Sequence, residues 1–486
     1  MSEEWLHSPT AWLQSQLPAH PLFPTLTAYE QWWEEEGKAI SAAVDAHGTP
    51  WLRMFDSQGR RIDLIDYPPD YDRMLKQGYR AGHVWRVFEE NSLLPFYLLG
   101  YVTSFYDPGL YCPYTVSLGT AIPLAKYGDD GLKARYLPPL LRRDEAAWQG
   151  ATWMTEIKGG SDLGAAVETV ARRRGDRWLL TGDKYFASNA HAELAVIAAR
   201  PEGAPHNVRG LALFLAPRFR SDGELNYFIR RLKDKIGTRS VPTGEVELRD
   251  SEAYLIGRPE WGIYQILEVL NVSRVANSVA SVALLQRALS DAVSFARERI
   301  AFGKPIIAHP LLRQQFDTRK TQLRETFALA WEAVRLLDEV WQETPRYSDR
   351  YHLFRLVAHL AKYWTAEVAV QAAKWAMEVF AGLGVLAEFR VERWWREAMI
   401  LQIWEGTPHR QILDGVEVME RKRAHELLFQ HVQELASQKE IDAMRARVEA
   451  HLALPVEEKE ARAEELFRDL AQFTARSLAR QPVQLS

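Results

Sequence analysis

Ile403–Met419, IWEGTPHRQILDGVEVM, follows a charged run of helical period, Val391–Ile400. It sets a lone carboxylate, Glu405, between Trp404 and Gly406. Trp404 offers an apolar wall, and Gly406 lets the backbone turn tightly or approach a ligand closely. A carboxylate beside an aromatic face tends to have a raised pKa, which suits general-base work near neutrality. The plainer reading of the same residues is an exposed capping glutamate beside a packing tryptophan. The rest of the chain has to decide between them.

The chain has 486 residues, enough for two to four domains, with 47% apolar and 26% charged residues, a soluble globular composition. The net charge of −4 gives no overall bias toward nucleic acid or anionic membrane. Cys112 is the single cysteine, which excludes an intrachain disulfide and a cysteine-based metal site within one subunit. A reducing, cytoplasmic setting is expected. The N-terminal residues show no signal-peptide pattern, and no run of 18 apolar residues predicts a membrane span.

Taken in order, residues 1–150 read as a helical domain. Helices are expected over Thr27–Ala46, Tyr71–Glu90, Leu93–Tyr111 (interrupted at Asp107–Gly109), Tyr114–Lys126 and Leu132–Leu141, the last broken by its double proline. Residues 47–68 read as a small insertion, a strand pair or extended segment. Near residue 150 the period changes from about 3.6 to 2. Val167–Ala171, Arg177–Thr181, Glu193–Ala199, Gly210–Ala216, Asn226–Arg231 and Gly244–Arg249 then read as strands. Short Gly, Pro, Asn and Asp separators without helical crossovers predict an antiparallel middle β-domain over 151–260. Long helices follow over Gly262–Arg299, Leu311–Glu343 and Asp349–Phe380, a C-terminal helical bundle over 261–425. Residues 426–486 form an extra helical tail of two or three amphipathic helices. The fold class is therefore α+β and mostly α.

Several polar stretches can carry chemistry. Met154–Asp162 (MTEIKGGSD) offers backbone N–H groups and small hydroxyls to a polar ring or phosphate, or is an ordinary Gly/Ser turn. Thr181–Ala190 (TGDKYFASNA) puts two aromatics beside Ser188 and Asn189, a wall for a planar cofactor or a hairpin feeding the core. Arg274 stands in a mostly apolar helix, where an arginine needs a partner or a ligand. Arg297, Arg299 and Phe302–Lys304 suit a pyrophosphate, or simply complement a helix C-terminus. His309 and His409 belong to no metal-binding cluster, and no metal is expected. GxSxG, Walker A and GxGxxG motifs are absent.

Six segments together identify a resemblance: TEIKGGSD, TGDKYFASN, KIGTRS, RERIAFGKP, EVFAGLGV and IWEGT, in this order between residues 155 and 407. With helix–strand–helix regions between them, the chain resembles the acyl-CoA dehydrogenase family of flavoproteins over about residues 70–425. The resemblance implies FAD at a subunit interface of a homodimer or homotetramer. It implies an acyl-CoA substrate and an electron-transfer flavoprotein as reoxidant. Glu405 would be the catalytic base, taking the proton α to the thioester while the β-hydrogen leaves as hydride to flavin N5. The backbone N–H of Glu405 and the flavin ribityl group would polarise the thioester. Met154, Thr155, Gly160 and Ser161 would face the flavin and the thioester end of the substrate. Phe186 and Ser188 take the places of flavin-contacting residues, and Thr407 matches another. Arg299 and Phe302 would reach the pyrophosphate and adenine half of FAD, with His309 and Leu312 nearby and Gly382 near a partner's FAD. Arg274, Trp404 and Gly406 would line the substrate side. Some relatives carry the base one residue before the arginine matching Arg274; that residue here is Ser273, so Glu405 has no rival.

Trp404 replaces the usual tyrosine, and Pro408–His409 a Ser–Gln pair. The segment Arg61–Tyr79, Cys112–Pro113 and the tail look like the alkylation-response branch of the family. That branch implies weak dehydrogenase activity and binding and protection of duplex DNA as an alternative function. Residues 421–486 hold 11 Lys/Arg and 11 Asp/Glu, a neutral balance that argues against the nucleic-acid role.

Overall fold

The architecture is that of a computed structural model and is described for residues 4–484. The chain divides into two compact units: residues 33–99 with 109–273, and residues 4–32, 100–108 and 274–484.

The first unit holds the sheet. It opens with a π-helical turn, Trp33–Gly37, that runs into helix Lys38–His47, and then a hairpin, β1 (Trp51–Phe55) and β2 (Arg61–Asp66), paired antiparallel. The strand-pair option for residues 47–68 is therefore the one observed. Asp63 pins this hairpin: its carboxylate accepts from Ile229 N at 2.8 Å and its carbonyl from Arg218 Nη2 at 2.8 Å. The expected helix Tyr71–Glu90 is two, Tyr71–Ala81 and Trp85–Glu90, because Gly82 caps the first in the left-handed conformation. Tyr111–Tyr127 is almost wholly buried, as its apolar, small-residue sequence requires. Helix Asp130–Leu140 runs through Pro138 and Pro139, so the double proline marks the last turn instead of breaking the helix; Leu141 N still donates to Leu137 O at 3.1 Å.

The sheet contains β3 (Gly150–Trp153), β4 (Val170–Arg174), β5 (Arg177–Ser188), β6 (Leu194–Pro201), β7 (Ala212–Pro217), β8 (Phe228–Leu232) and β9 (Thr243–Leu255). Its order among the described residues is β3-β6-β4-β5-β9-β7, with β8 on β9 and a further β6–β7 pairing. The expected all-antiparallel arrangement is corrected: β6 pairs parallel with both β3 and β4. Short separators argue for antiparallel neighbours only if consecutive strands pair, and here the β4–β5 hairpin intervenes between β3 and its partner β6. The sheet's core is filled largely by small side chains, among them Ala195, Ala199, Ala212 and Ala216, with Trp153, Phe214 and Tyr227 among its large ones.

The second unit is helical. Its long elements are Gly262–Glu298 from Arg274 onward, Pro310–Val340, Asp349–Val379, Val391–Ile403 and Pro408–Lys422. Segment Pro259–Glu298 is long and apolar enough to span a membrane by length and composition, but 78% of its apolar window is buried inside the protein, as in a core helix. The N-terminal residues are tied here by Gln286, whose amide donates to Trp5 O at 2.9 Å while accepting from Tyr101 OH at 2.8 Å. The tail comprises Ala424–His431, Gln438–Leu452, Val456–Ala461 and Ala463–Leu478, more pieces than expected, because Leu454–Pro455 is joined as a breaker by turns at 432–437 and Arg462.

Candidate functional site

Helix Val391–Ile403 ends where the Trp404 backbone becomes extended, its N–H still donating to Ile400 O at 3.0 Å. Glu405 then takes φ +57° and Gly406 φ +101°. Two successive left-handed residues reverse the chain, and Thr407 caps the next helix, its hydroxyl accepting from Arg410 N at 3.4 Å. The sequence makes Gly406 permissive, but Glu405 itself occupies the conformation that a side chain normally avoids. At Gly406 a Cβ would also run into the Gln411 amide.

Buried side chains hold this turn by its carbonyls. Lys362, on the Asp349–Val379 helix, donates to Gln402 O at 2.8 Å and Gly406 O at 2.7 Å. Gln411 donates to Glu405 O at 3.2 Å and Gly406 O at 3.1 Å. Its own carbonyl oxygen accepts from His359 Nδ1 at 2.8 Å. Burial pushes His359 down to about 3, so its ring is neutral across the physiological range. Arg274 is buried and lies 3.5 Å from Asp414, which also pairs with Arg410.

Burial raises the Glu405 carboxyl above its ordinary value, while Arg274 and Lys362 pull it back. Burial also lowers Lys362 to about 7, against the opposing attraction of Glu405. The environment is thus what a proton acceptor working near neutrality needs. The Trp404 indole N–H is buried without a hydrogen-bond partner. Of the sequence-predicted residues, Glu405, Gly406, Thr407 and Trp404 form this turn, and Arg274 acts on it electrostatically. Lys362, Gln411, His359 and Asp414 carry its support and were not singled out from sequence. A signal existed for Lys362: Ala358, Thr365 and Ala366, one turn away, are all buried, so the lysine stands on an inward face.

A second group lies at the C-terminal end of helix Gly262–Glu298. Residues Ile300–Ala301 (β10) and Lys304–Pro305 (β11) form a two-residue hairpin. Both central residues have positive φ, Phe302 at +51° and Gly303 at +80°. That turn type matches the twist of the strands, and it pushes Phe302 out until the residue is 95% exposed. His309 Nε2 meets Ala301 O at 3.1 Å, and its ring stands edge-on to Phe302. Arg299 is exposed and Leu312 half-buried. The helix rises ~1.5 Å per residue, so Arg274 and this end are roughly 36 Å apart along it. Gly382 is exposed with open space around its Cα; the nearby Gly384 is the one fixed by packing, since a Cβ there would strike the Met377 carbonyl.

In the sheet-bearing unit, the MTEIKGGSD loop closes by Gly159 N donating to Glu156 O at 2.9 Å. Glu156 is buried with Lys184 of β5 at 2.7 Å and also accepts from Thr169 Oγ1 at 2.6 Å. One buried ion pair therefore joins the loop to the TGDKYFASN strand. Met154 is buried, Ser161 exposed, and Gly160 packs on the Thr155 hydroxyl. Tyr185 N donates to Thr155 O at 3.0 Å. Phe186 is left 54% exposed, and Ser188 Oγ meets Thr243 Oγ1 at 3.2 Å.

Residues 151–251 match the middle domain of acyl-CoA dehydrogenases and residues 260–419 their C-terminal domain. Residues 19–145 match the N-terminal domain of the adaptive response protein AidB. The chain is similar to acyl-CoA dehydrogenase family member 11 of Caenorhabditis elegans, 31% identical across 78% of this chain and 64% of that protein, so it spans somewhat less than two thirds of that relative's length. It is similar to the putative acyl-CoA dehydrogenase AidB of Escherichia coli K12, 29% identical across 84% of this chain and 76% of that one. The solved structure of Bd2924 in its apo form superposes with a TM-score of 0.89 at 30% identity, covering 98% of this chain and 96% of that chain. With these likenesses over all three regions, the chain belongs to the acyl-CoA dehydrogenase family of FAD-dependent enzymes, in the branch that carries the adaptive-response N-terminal domain.

Proposed function

We propose that the protein dehydrogenates an acyl-CoA thioester between its α and β carbons, with Glu405 taking the α-proton. The observation that carries this reading is the Glu405 turn: a carboxylate raised by burial, on a backbone fixed by Lys362 and Gln411. A fixed base contributes by standing within reach of one proton, without reorganising when charge moves. Arg274 and Lys362 keep the carboxylate available, since each favours its ionised form. The backbone N–H of Glu405 is the donor proposed for the thioester oxygen, where it stabilises the charge that builds as the α-proton leaves.

The donor set suits FAD. The buried Trp404 N–H lacks a protein acceptor, the rings of Phe186 and Phe302 are exposed, and Arg299 offers a forked cation for a pyrophosphate. Met154, Thr155, Gly160, Ser161, Phe186, Ser188 and Thr407 would hold the flavin half. Arg299, Phe302, His309, Leu312 and Gly382 would hold the adenine half, that of a partner subunit. The ~36 Å of helix between Arg274 and the Arg299 end supports this division, and with it a homodimer or homotetramer. When bound, FAD supplies the acceptor for the β-hydride. An electron-transfer flavoprotein is the reoxidant we propose.

Anaerobic titration of the FAD-loaded protein with short-, medium- and long-chain saturated acyl-CoAs tests the reading. At least one thioester bleaches the flavin absorbance of the wild type, and Glu405→Gln keeps its FAD but is not bleached. Bleaching that survives in Glu405→Gln would sink the assignment.

A further inference from the structure

The strongest unassigned feature is the lysine beneath the Glu405 turn. Lys362 is buried, and two of its protons are spent on main-chain oxygens, at 2.8 Å to Gln402 and 2.7 Å to Gly406. These two carbonyls bracket Glu405. An ammonium needs no burial to satisfy two carbonyls; an amide or a water would do the same at lower desolvation cost. Burial holds Lys362 to about 7, so below neutrality it is a cation, and two hydrogen bonds alone do not require that charge.

We propose that Lys362 is the positioning residue of the catalytic carboxylate: it clamps the turn on both sides of Glu405 and sets the charge environment in which Glu405 ionises. The proposal rests on the dehydrogenase reading for its kinetic arm only. Glu405 is faced from the Gly262–Glu298 helix by Arg274 and from the Asp349–Val379 helix by Lys362. Behind them stand Asp414 and Arg410 on the Pro408–Lys422 helix, with His359 and Arg355 beside Lys362's helix face. Asp414 is already engaged by Arg410 and Arg274, so Arg274's positive charge is shared. Among the described residues Lys362 has no carboxylate within ion-pair distance, and its charge acts on Glu405 through space.

Two neutral variants separate clamp from charge. Lys362→Met removes both. Lys362→Gln loses the charge but keeps an amide donor for one of the two carbonyls, and it carries the test where the methionine variant does not fold. Each is compared with wild type as FAD-loaded protein. The first readout is independent of turnover: the protonated-carboxyl infrared stretch of Glu405 followed against pH, identified by subtracting the Glu405→Gln spectrum. Its midpoint moves to higher pH in both variants, because the cation that favours the carboxylate is gone. The second readout is kinetic, with the acyl-CoA that bleaches the wild type. On Lys362→Met, kcat falls by roughly 10- to 100-fold while KM changes little, the pattern of a misplaced base. Lys362→Gln recovers part of kcat, and its rising pH limb stays displaced.

A folded, FAD-loaded variant with the wild-type Glu405 midpoint and wild-type kcat overturns the proposal. If no acyl-CoA reduces the wild-type flavin, the dehydrogenase reading fails alone, and the infrared midpoint still decides the role of Lys362.

Discussion

Glu405 carries two burdens that a purely structural glutamate would not. Its backbone sits at φ +57°, a conformation that costs about 1 kcal/mol or more for a residue with a Cβ. Its carboxyl is also raised from 4.5 by burial. The direction of the second effect on stability follows by linkage. A carboxyl with a higher pKa in the folded than in the unfolded state binds its proton more tightly when folded. Stability is then lost as pH rises from the unfolded value, near 4.5, through the folded one. Glu405→Gln escapes that loss. We expect it to melt at a higher temperature than wild type at pH 7 and to converge with it below pH 4.5, as followed by calorimetry at both pH values. A variant that melts lower at pH 7 would mean that the carboxylate is stabilising where it stands. The Trp-Glu-Gly arrangement was legible in the sequence because an acid between an aromatic and a glycine is unusual chemistry in a short span. The left-handed backbone of Glu405 was not, since nothing local requires it; Lys362 and Gln411 impose it from other helices.

At the scale of elements, the polar loops could be read as loops, but not the bond between them. Glu156 and Lys184 lie in two separate motifs, 28 residues apart, and each reads alone as a solvated charge. Folding brings them together at 2.7 Å, with Lys184 also donating to Ala198 O at 2.7 Å. The two partners' shifts differ in cause: burial dominates the lowering of Lys184, whereas Lys184 and hydrogen bonds hold Glu156 low despite burial. Both charges being paired is the consistent state, given the geometry. Breaking such a buried pair from one side typically costs ~3–5 kcal/mol, because the other charge stays buried. Lys184→Met should therefore lower the denaturant midpoint and loosen the Thr155–Ser161 loop, releasing FAD. Adding Glu156→Gln should recover part of the stability, which a double-mutant cycle in urea measures. Additive losses would show that the pair is not energetically coupled. The same limit explains the sheet: periodicity marks strands well, but β3 and β6 find each other across the intervening hairpin, a long-range choice that no separator encodes.

At the scale of the whole molecule, the question is whether the tail adds a nucleic-acid surface to the enzyme. Phe467 of the tail is fully buried, packing edge-on to Tyr363 and so close to Gly415 that a Cβ there would collide with its ring. The tail is thus part of the unit that carries Glu405. Six of the 11 Lys/Arg over residues 421–486 are committed as well. Arg421 pairs with Glu417, Arg445 with Glu426, Arg447 with Asp469, Lys459 with Glu420, Arg462 with Glu458, and Arg480 with Glu440. Binding a phosphate backbone gains free energy by releasing counterions, and a lysine or arginine already neutralised by a protein acid releases none. Each such contact would first have to break an internal pair and leave its acid facing the duplex. We therefore expect fluorescence anisotropy with a labelled duplex to show no binding at about 150 mM salt and a shallow salt slope below it. Replacing Glu417, Glu420, Glu440 and Glu458 by Gln frees four of these cations without touching the buried face. Low-salt binding should then strengthen, and the slope of log affinity against log salt should steepen. Tight, steeply salt-dependent binding by the unaltered protein would instead locate a cationic surface outside these pairs and revive the duplex-binding alternative.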